Sequence, residues 1–235
     1  MAVCYNNNSY RNPALRVGDR RKEFSDMDVF DAIRTRRSIR KFKQDPIPEA
    51  TLRELIEFAT LAPSASNKQM WKFCVITNRE ILGKINDAIL AKLDALAEMP
   101  GAEDFRSRLR AVKNYSTFFT DAPAVIAAFR EPYRSSIDVL LENQGLSREK
   151  IDSVRQRPDI QSLGAAIENL CLAAHAKGLG TCWMSAPCIA GPEIAELLEI
   201  EPPWELVAFI PIGVSSEEPI ARPRKPLEEV VKFVV

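Results

Sequence analysis

The stretch RTRRSIRKF (34–42) sets Arg34, Arg36, Arg37 and Arg40 around a single serine, Ser38. A guanidinium is planar and donates paired hydrogen bonds, and a serine hydroxyl adds a compact donor. Together they suit the grip of a terminal phosphate. On an extended chain Arg36, Ser38 and Arg40 project to one side. A solvated helix end would carry the same residues with no ligand, so spacing alone leaves both readings open. APSASNKQMW (62–71) is the second polar group, with Pro63, Ser64, Ala65, Asn67 and Gln69, and ordinary loop chemistry accounts for it equally well. GLGTCWMS (178–185) contributes Trp183, Met184 and Ser185 after a glycine stop, and RPRKPLEEV (222–230) contributes Arg222, Arg224 and Lys225.

Other chemistries are bounded by what the chain lacks. His175 is the only histidine in 235 residues, so a multi-histidine metal site is excluded, and Ser–His or Cys–His catalysis would have to run through that one ring. Its place late in an apolar helix pattern reads as a helix-end residue. The five cysteines (Cys4, Cys74, Cys171, Cys182 and Cys188) form an odd set without a CxxC pair, and they read as buried thiols of a cytoplasmic protein. Thirty-two basic side chains balance thirty-two acidic ones, which argues against nucleic acid or an anionic membrane as partner. An enzyme of this composition would leave its hard chemistry to a cofactor.

The elements that must position these residues follow from periodicity. Residues 1–25 read as a polar arm, and 26–235 as one domain. Helices are predicted at 28–36 (Val29, Phe30 and Ile33 on one face), 48–62, 79–98 after an Asn78 cap, 103–118, 163–180 and 191–198. Strands are predicted at 71–77, 123–130, 181–184 and 206–214. Residues 131–158 are charged and weakly patterned, as a surface excursion or lid would be. LEEVVKFVV (227–235) is apolar and β-prone to its end. Short strands between long helices predict a three-layer α/β or α+β sandwich. No GxGxxG follows the first strand, so a Rossmann reading lacks its phosphate turn.

Taken in order, RRSIRKF, APSASNKQMW, LGAAIENLCLAAHAKGLGTCWM, FIPIGV and RPRKPLEEVV resemble the nitroreductase-like flavoprotein family over about residues 28–235. The resemblance implies an α+β, three-layer α-β-α sandwich with a mostly antiparallel sheet and a C-terminal arm that adds a strand to the partner of a homodimer. It implies non-covalent FMN, with Arg36, Arg37, Ser38, Arg40 and Arg224 around the phosphate, ribityl chain and pyrimidine edge. Pro63, Ser64, Ala65, Asn67 and Gln69 would reach the flavin from the other subunit, and Trp183, Met184 and Ser185 would run beside the ring. Met70 stands where the family often has proline. The activity implied is FMN-dependent NAD(P)H oxidation coupled by ping-pong hydride transfer to reduction of a nitroaromatic, quinone or similar small acceptor. A reductive dehalogenase, a flavin-modifying enzyme and a non-catalytic flavin-binding module are the alternatives. A dehalogenase of amino acids would need a zwitterion clamp, for which Arg134, Glu142 and Lys150 are the candidates.

Overall fold

The computed structural model describes residues 27–235; the arm expected at 1–25, with Cys4, lies outside them. Asp28 Oδ1 accepts from the Asp31 amide and starts α1 (Val29–Thr35). The next elements are α2 (Glu49–Thr60), β1 (Trp71–Ile76) and α3 (Arg79–Ala97). Asn78 caps α3 as predicted, accepting from the amides of Glu80 and Ile81 at 2.9 and 3.2 Å. Then come α4 (Glu103–Thr117), β2 (Ala124–Arg130), α5 (Ser136–Asn143) and α6 (Arg148–Arg155). The series closes with α7 (Pro158–Ala176), β3 (Gly180–Thr181), α8 (Gly191–Leu197) and β4 (Glu205–Gly213). Among the described residues no helix is long and apolar enough to cross a membrane.

The sheet runs β1-β2-β4-β3 and all its pairs are antiparallel. Strand periodicity makes it the middle of three layers. Ala124, Ile126 and Ala128 of β2 pack with α2 and α7, while Val125, Ala127 and Phe129 pack with α3 and α8. Each large side chain buried on either face contributes roughly 1.5–3 kcal/mol before ordering costs. The predicted α+β, α-β-α sandwich is therefore the fold.

Local differences from the predicted elements have physical causes. Helix α7 begins at Pro158, earlier than its apolar stripe suggests. The buried Asp159 in its first turn pairs with Arg130 and, at 3.5 Å, with Arg157. The strand predicted at 181–184 shrinks to Gly180–Thr181 plus a lone Met184–Phe209 bridge. Cys182 lies opposite Pro211, which accepts from it but has no N–H to return. The predicted α1 face lies outward: Val29, Phe30 and Ile33 are exposed, and Ala32 faces inward instead. The tail forms only a short turn at Leu227–Glu229, and Phe233 is 81% exposed.

The excursion is held down largely by charge. Asp138, wholly buried, accepts from the Ser135 amide at 2.7 Å and pairs with Arg155 at 3.4 Å. Burial alone would raise its pKa, but the Ser135 hydrogen bonds and the Arg155 and Arg148 charges hold it below the usual carboxylate range. Arg148 pairs with Asp152 at 2.5 Å and donates to the Tyr133 carbonyl at 2.9 Å.

The arginine stretch is seated on the end of the sheet. Ile39 N–H donates to Thr181 C=O at 2.9 Å, Lys43 N–H to Val214 C=O at 2.8 Å, and Ser216 N–H to Lys41 C=O at 3.0 Å. Ile39 and Phe42 are buried with Ala122. Their seats exist because Gly180 and Gly213, paired across the β3–β4 ladder, have no side chains. A Cβ at Gly180 would lie 2.6 Å from Ile39 Cγ1, and one at Gly213 would lie 3.1 Å from Phe42 Cδ1 and 2.7 Å from Pro123 Cδ. Gly180→Ala is therefore expected to destabilise the protein by about 1–3 kcal/mol. Gly83→Ala, on the exposed side of α3 with nothing within 4 Å of the added carbon, should stabilise it by about 0.5–1 kcal/mol. Urea unfolding midpoints should thus move in opposite directions. A neutral Gly180→Ala would refute the seat.

Candidate functional site

A cavity of about 630 Å³ opens where the arginine stretch meets the chain beyond β4. Arg36, Arg37, Ser38 and Arg40 line it from one side and Arg222 and Arg224 from the other. Residues singled out in the sequence thus converge: Arg34, Arg36, Arg37, Ser38 and Arg40 meet Arg222 and Arg224, which are remote from them along the chain. The Nε atoms of Arg36 and Arg40 are buried and have no hydrogen-bond partner. Arg36 Nε lies 3.3 Å from Glu168 Oε1, close enough for an ion pair. Arg37 is braced by its own backbone, donating to the carbonyls of Arg34 and Arg36 at 2.7 Å each. Guanidinium groups gathered around one cavity suit a multivalent oxyanion.

The other predicted residues lie outside this cavity but along the same helix, α7. Ala65 N–H donates to Ser162 Oγ at 3.1 Å, which ties the 63–69 loop to the second turn of α7. Within that loop Gln69 N–H donates to Ser64 Oγ at 3.0 Å, and the Gln69 side chain reaches Asn67 Oδ1 at 3.5 Å. Ser66, Asn67 and Gln69 all have left-handed backbones, with φ of 53°, 52° and 52°. Such torsions are uncommon outside glycine and persist only when neighbours hold them. The Ser66 and Tyr133 hydroxyls meet at 3.0 Å, and Lys68 Nζ donates to the Arg134 carbonyl at 3.0 Å. Pro63, Asn67 and Gln69 are exposed, whereas Met70 is buried, its carbonyl accepting from Glu131 N–H at 3.2 Å.

Trp183 is 44% exposed, and a Cβ at Gly164 of α7 would come within 3.3 Å of its ring. Met184 turns the other way, into the core, and its amide and carbonyl are both committed to Phe209 at 2.9 Å. Ser185 is exposed. Ser162, Gly164 and Glu168 therefore carry the loop, the tryptophan and Arg36 within a span of about 9 Å along one helix axis.

His175, in the last turn of α7, meets Thr35 Oγ1 through Nε2 at 2.7 Å and so braces the end of α1. Burial, then the Arg36 and Arg37 charges, lower its pKa and favour the neutral ring. The cysteines that are described are free, and burial pushes the thiols of Cys171 and Cys188 up to about 11, so they stay protonated near neutrality. Of the candidate clamp residues, Arg134 and Glu142 pair with each other at 2.6 Å rather than presenting free charges.

Sequence reasoning passed over Glu217, Ser162 and Tyr133. Glu217 lines the cavity, and its carboxylate accepts from the amides of Arg40 and Lys41. Ser162 and Tyr133 act on the 63–69 loop from remote segments. All three contact backbone or hydroxyl groups, and no spacing in the sequence marks such a contact.

The model of the nitroreductase family matches residues 33–214. A putative NADH dehydrogenase/NAD(P)H nitroreductase of Methanothermobacter thermautotrophicus is 31% identical over 202 residues, covering 84% of this chain and 83% of the relative. The 5,6-dimethylbenzimidazole synthase of Rhodospirillum rubrum is 30% identical over 193 residues, covering 81% and 84%. Among solved structures, a BluB-like flavoprotein from Clostridium difficile 630 superposes with a TM-score of 0.80 at 34% identity, covering 88% of this chain and 99% of that one. The resemblance carried by the arginine, loop and glycine–tryptophan motifs thus holds over most of the sequence and in three dimensions, and the chain belongs to the nitroreductase family.

Proposed function

We propose that this protein is an FMN-dependent NAD(P)H oxidoreductase that reduces nitroaromatic, quinone or similar small acceptors in a ping-pong sequence. The observation that carries the proposal is the cavity in which Arg36, Arg37, Ser38, Arg40 and Arg224 meet. A phosphate monoester supplies acceptors of the right charge for such donors. The likeness to a flavoprotein supports a flavin as the bearer of that phosphate. When bound, FMN would supply the hydride chemistry that this chain's side chains lack.

In this reading Arg36, Ser38, Arg40 and Arg224 hold the phosphate, and Glu168 holds Arg36 in place. Trp183 and Ser185 flank the ring from an exposed ledge, and Met184 packs beneath them. Pro63, Ser64, Ala65, Asn67 and Gln69 do not line the cavity of their own chain, which fits a role toward a partner's flavin in a homodimer. Outward Val29, Phe30 and Ile33 give α1 an apolar face suited to that partner. The tail has a matching target in β1, an outer strand with no further strand beside it among the described residues; β3 at the other edge is covered by the arginine stretch. Beside β1 a groove of about 900 Å³ is lined by Ile56, Phe73 and Val75, and one of about 280 Å³ by Cys74, Ile81 and Leu197. Apolar side chains of an added strand would fill them. The free thiols of the described cysteines, of which Cys171 and Cys182 are buried, suit a reducing cytoplasm.

A second reading, a flavin-modifying enzyme, is favoured by the likeness to 5,6-dimethylbenzimidazole synthase. Formation of 5,6-dimethylbenzimidazole from reduced FMN in air, without NAD(P)H-driven turnover of acceptors, would select it.

The purified protein is expected to be yellow, to consume NADH or NADPH with an acceptor, and to give parallel initial-rate plots. Intersecting plots would exclude the ping-pong order. Arg36→Ala and Arg224→Ala should each weaken FMN binding by roughly 1.5–3 kcal/mol, the value of a charge-assisted hydrogen bond. Full flavin occupancy with unchanged affinity in both would remove the phosphate assignment. Deleting residues 228–235 should yield monomer or aggregate and release FMN, as read by light scattering and absorbance. A stable, active, flavin-bearing dimer without the tail would show that the arm does not hold the pair.

A further inference from the structure

Glu217 is a carboxylate in a cavity lined with arginines, and it is used on the backbone. Its Oε1 accepts from Arg40 N–H at 2.6 Å and from Lys41 N–H at 3.2 Å. The turn that presents it is shaped locally: Ser215 Oγ donates to the Glu217 carbonyl at 2.6 Å and accepts from the Glu217 amide at 3.2 Å. Ser215 also bridges to Phe42, and Ser216 N–H donates to Lys41 C=O at 3.0 Å. The contact therefore joins the two walls of the cavity, the arginine stretch and the segment that runs on to Arg222 and Arg224.

A negative charge beside a phosphate is unfavourable by itself, so the benefit of this residue must be geometric. Two consecutive amides bound to one carboxylate fix the backbone from which Arg40 springs, and charge-assisted bonds of this kind are the stronger ones. We propose that Glu217 is a positioning residue that clamps the Arg40–Lys41 backbone and thereby sets the preference of the site for phosphorylated over unphosphorylated flavin. The proposal rests on the FMN reading of the cavity. It assigns Glu217 no contact with the cofactor.

The test is titration of flavin-depleted full-length protein with FMN and with riboflavin, following fluorescence quenching, for wild type, Glu217→Ala and Glu217→Gln. Glu217→Ala should lose about tenfold or more in FMN affinity, as expected for charge-assisted bonds, while riboflavin affinity stays within about twofold. Glu217→Gln keeps an oxygen able to accept both bonds, and should recover to within about threefold of wild type. Unchanged FMN affinity in Glu217→Ala overturns the proposal. So does tighter binding in both variants, which would make the carboxylate a competitor for the anion, and so does equal loss of both flavins, which would make the contact one of general folding. Wild-type protein that binds FMN no better than riboflavin would instead refute the phosphate reading itself.

Discussion

Two glycines facing each other across the β3–β4 ladder decide where the arginines go. A side chain at Gly180 would press on Ile39, and one at Gly213 on Pro123 and Phe42, so the stretch between them would have to shift from the sheet end. The apolar pair acts as two pegs. Pegs buried at Ile39 and Phe42 leave Arg36, Arg37, Ser38 and Arg40 with little choice but the cavity side. Concentrating guanidinium groups is electrostatically expensive, and the cost is met by burying apolar neighbours in the same few residues. The two buried residues of the stretch, Ile39 and Phe42, thus hold its charged neighbours together at the cavity.

Helix α7 distributes this order to the rest of the candidate site. Its buried face, Leu163, Ala166, Ile167 and Leu170, fixes it against the sheet. Its other positions are then rigid posts for the loop, the tryptophan and Arg36. A helix is well suited to this, because successive posts differ by a fixed rise and rotation and long-range loops need only find one bond each. Asp159 and Arg130 anchor its first turn, so the polar pair sets the helix's origin and the apolar face sets its plane.

Much of this was legible in the sequence because it was written in periodicity and in charge density. The inward stripe of α3 with its Asn78 cap, the buried run of β2, and the crowd of arginines are local signals. What stayed hidden was decided by distant partners. The start of α7 lies in a charged run whose burial depends on Arg130, and the loss of strand after Thr181 depends on a proline on the opposite strand. The tail reads as β and is not a strand in the single chain, since a strand needs a neighbour that sequence cannot supply. Glu217 left no trace because its partners are amide groups, which every residue carries.

The excursion of α5 and α6 is stitched by ion pairs and a few hydroxyl bonds, with Ile151 and Tyr133 among its few buried hydrophobic side chains. Lifting it would expose little apolar surface, so its opening free energy lies well below that of global unfolding. Limited proteolysis should therefore nick this segment first while the sandwich beneath stays folded. Tyr133 lies at the root of the excursion, and its hydroxyl meets that of Ser66, one of the left-handed residues of the 63–69 loop. Opening of the excursion would therefore release the Tyr133–Ser66 contact while the sandwich stays folded.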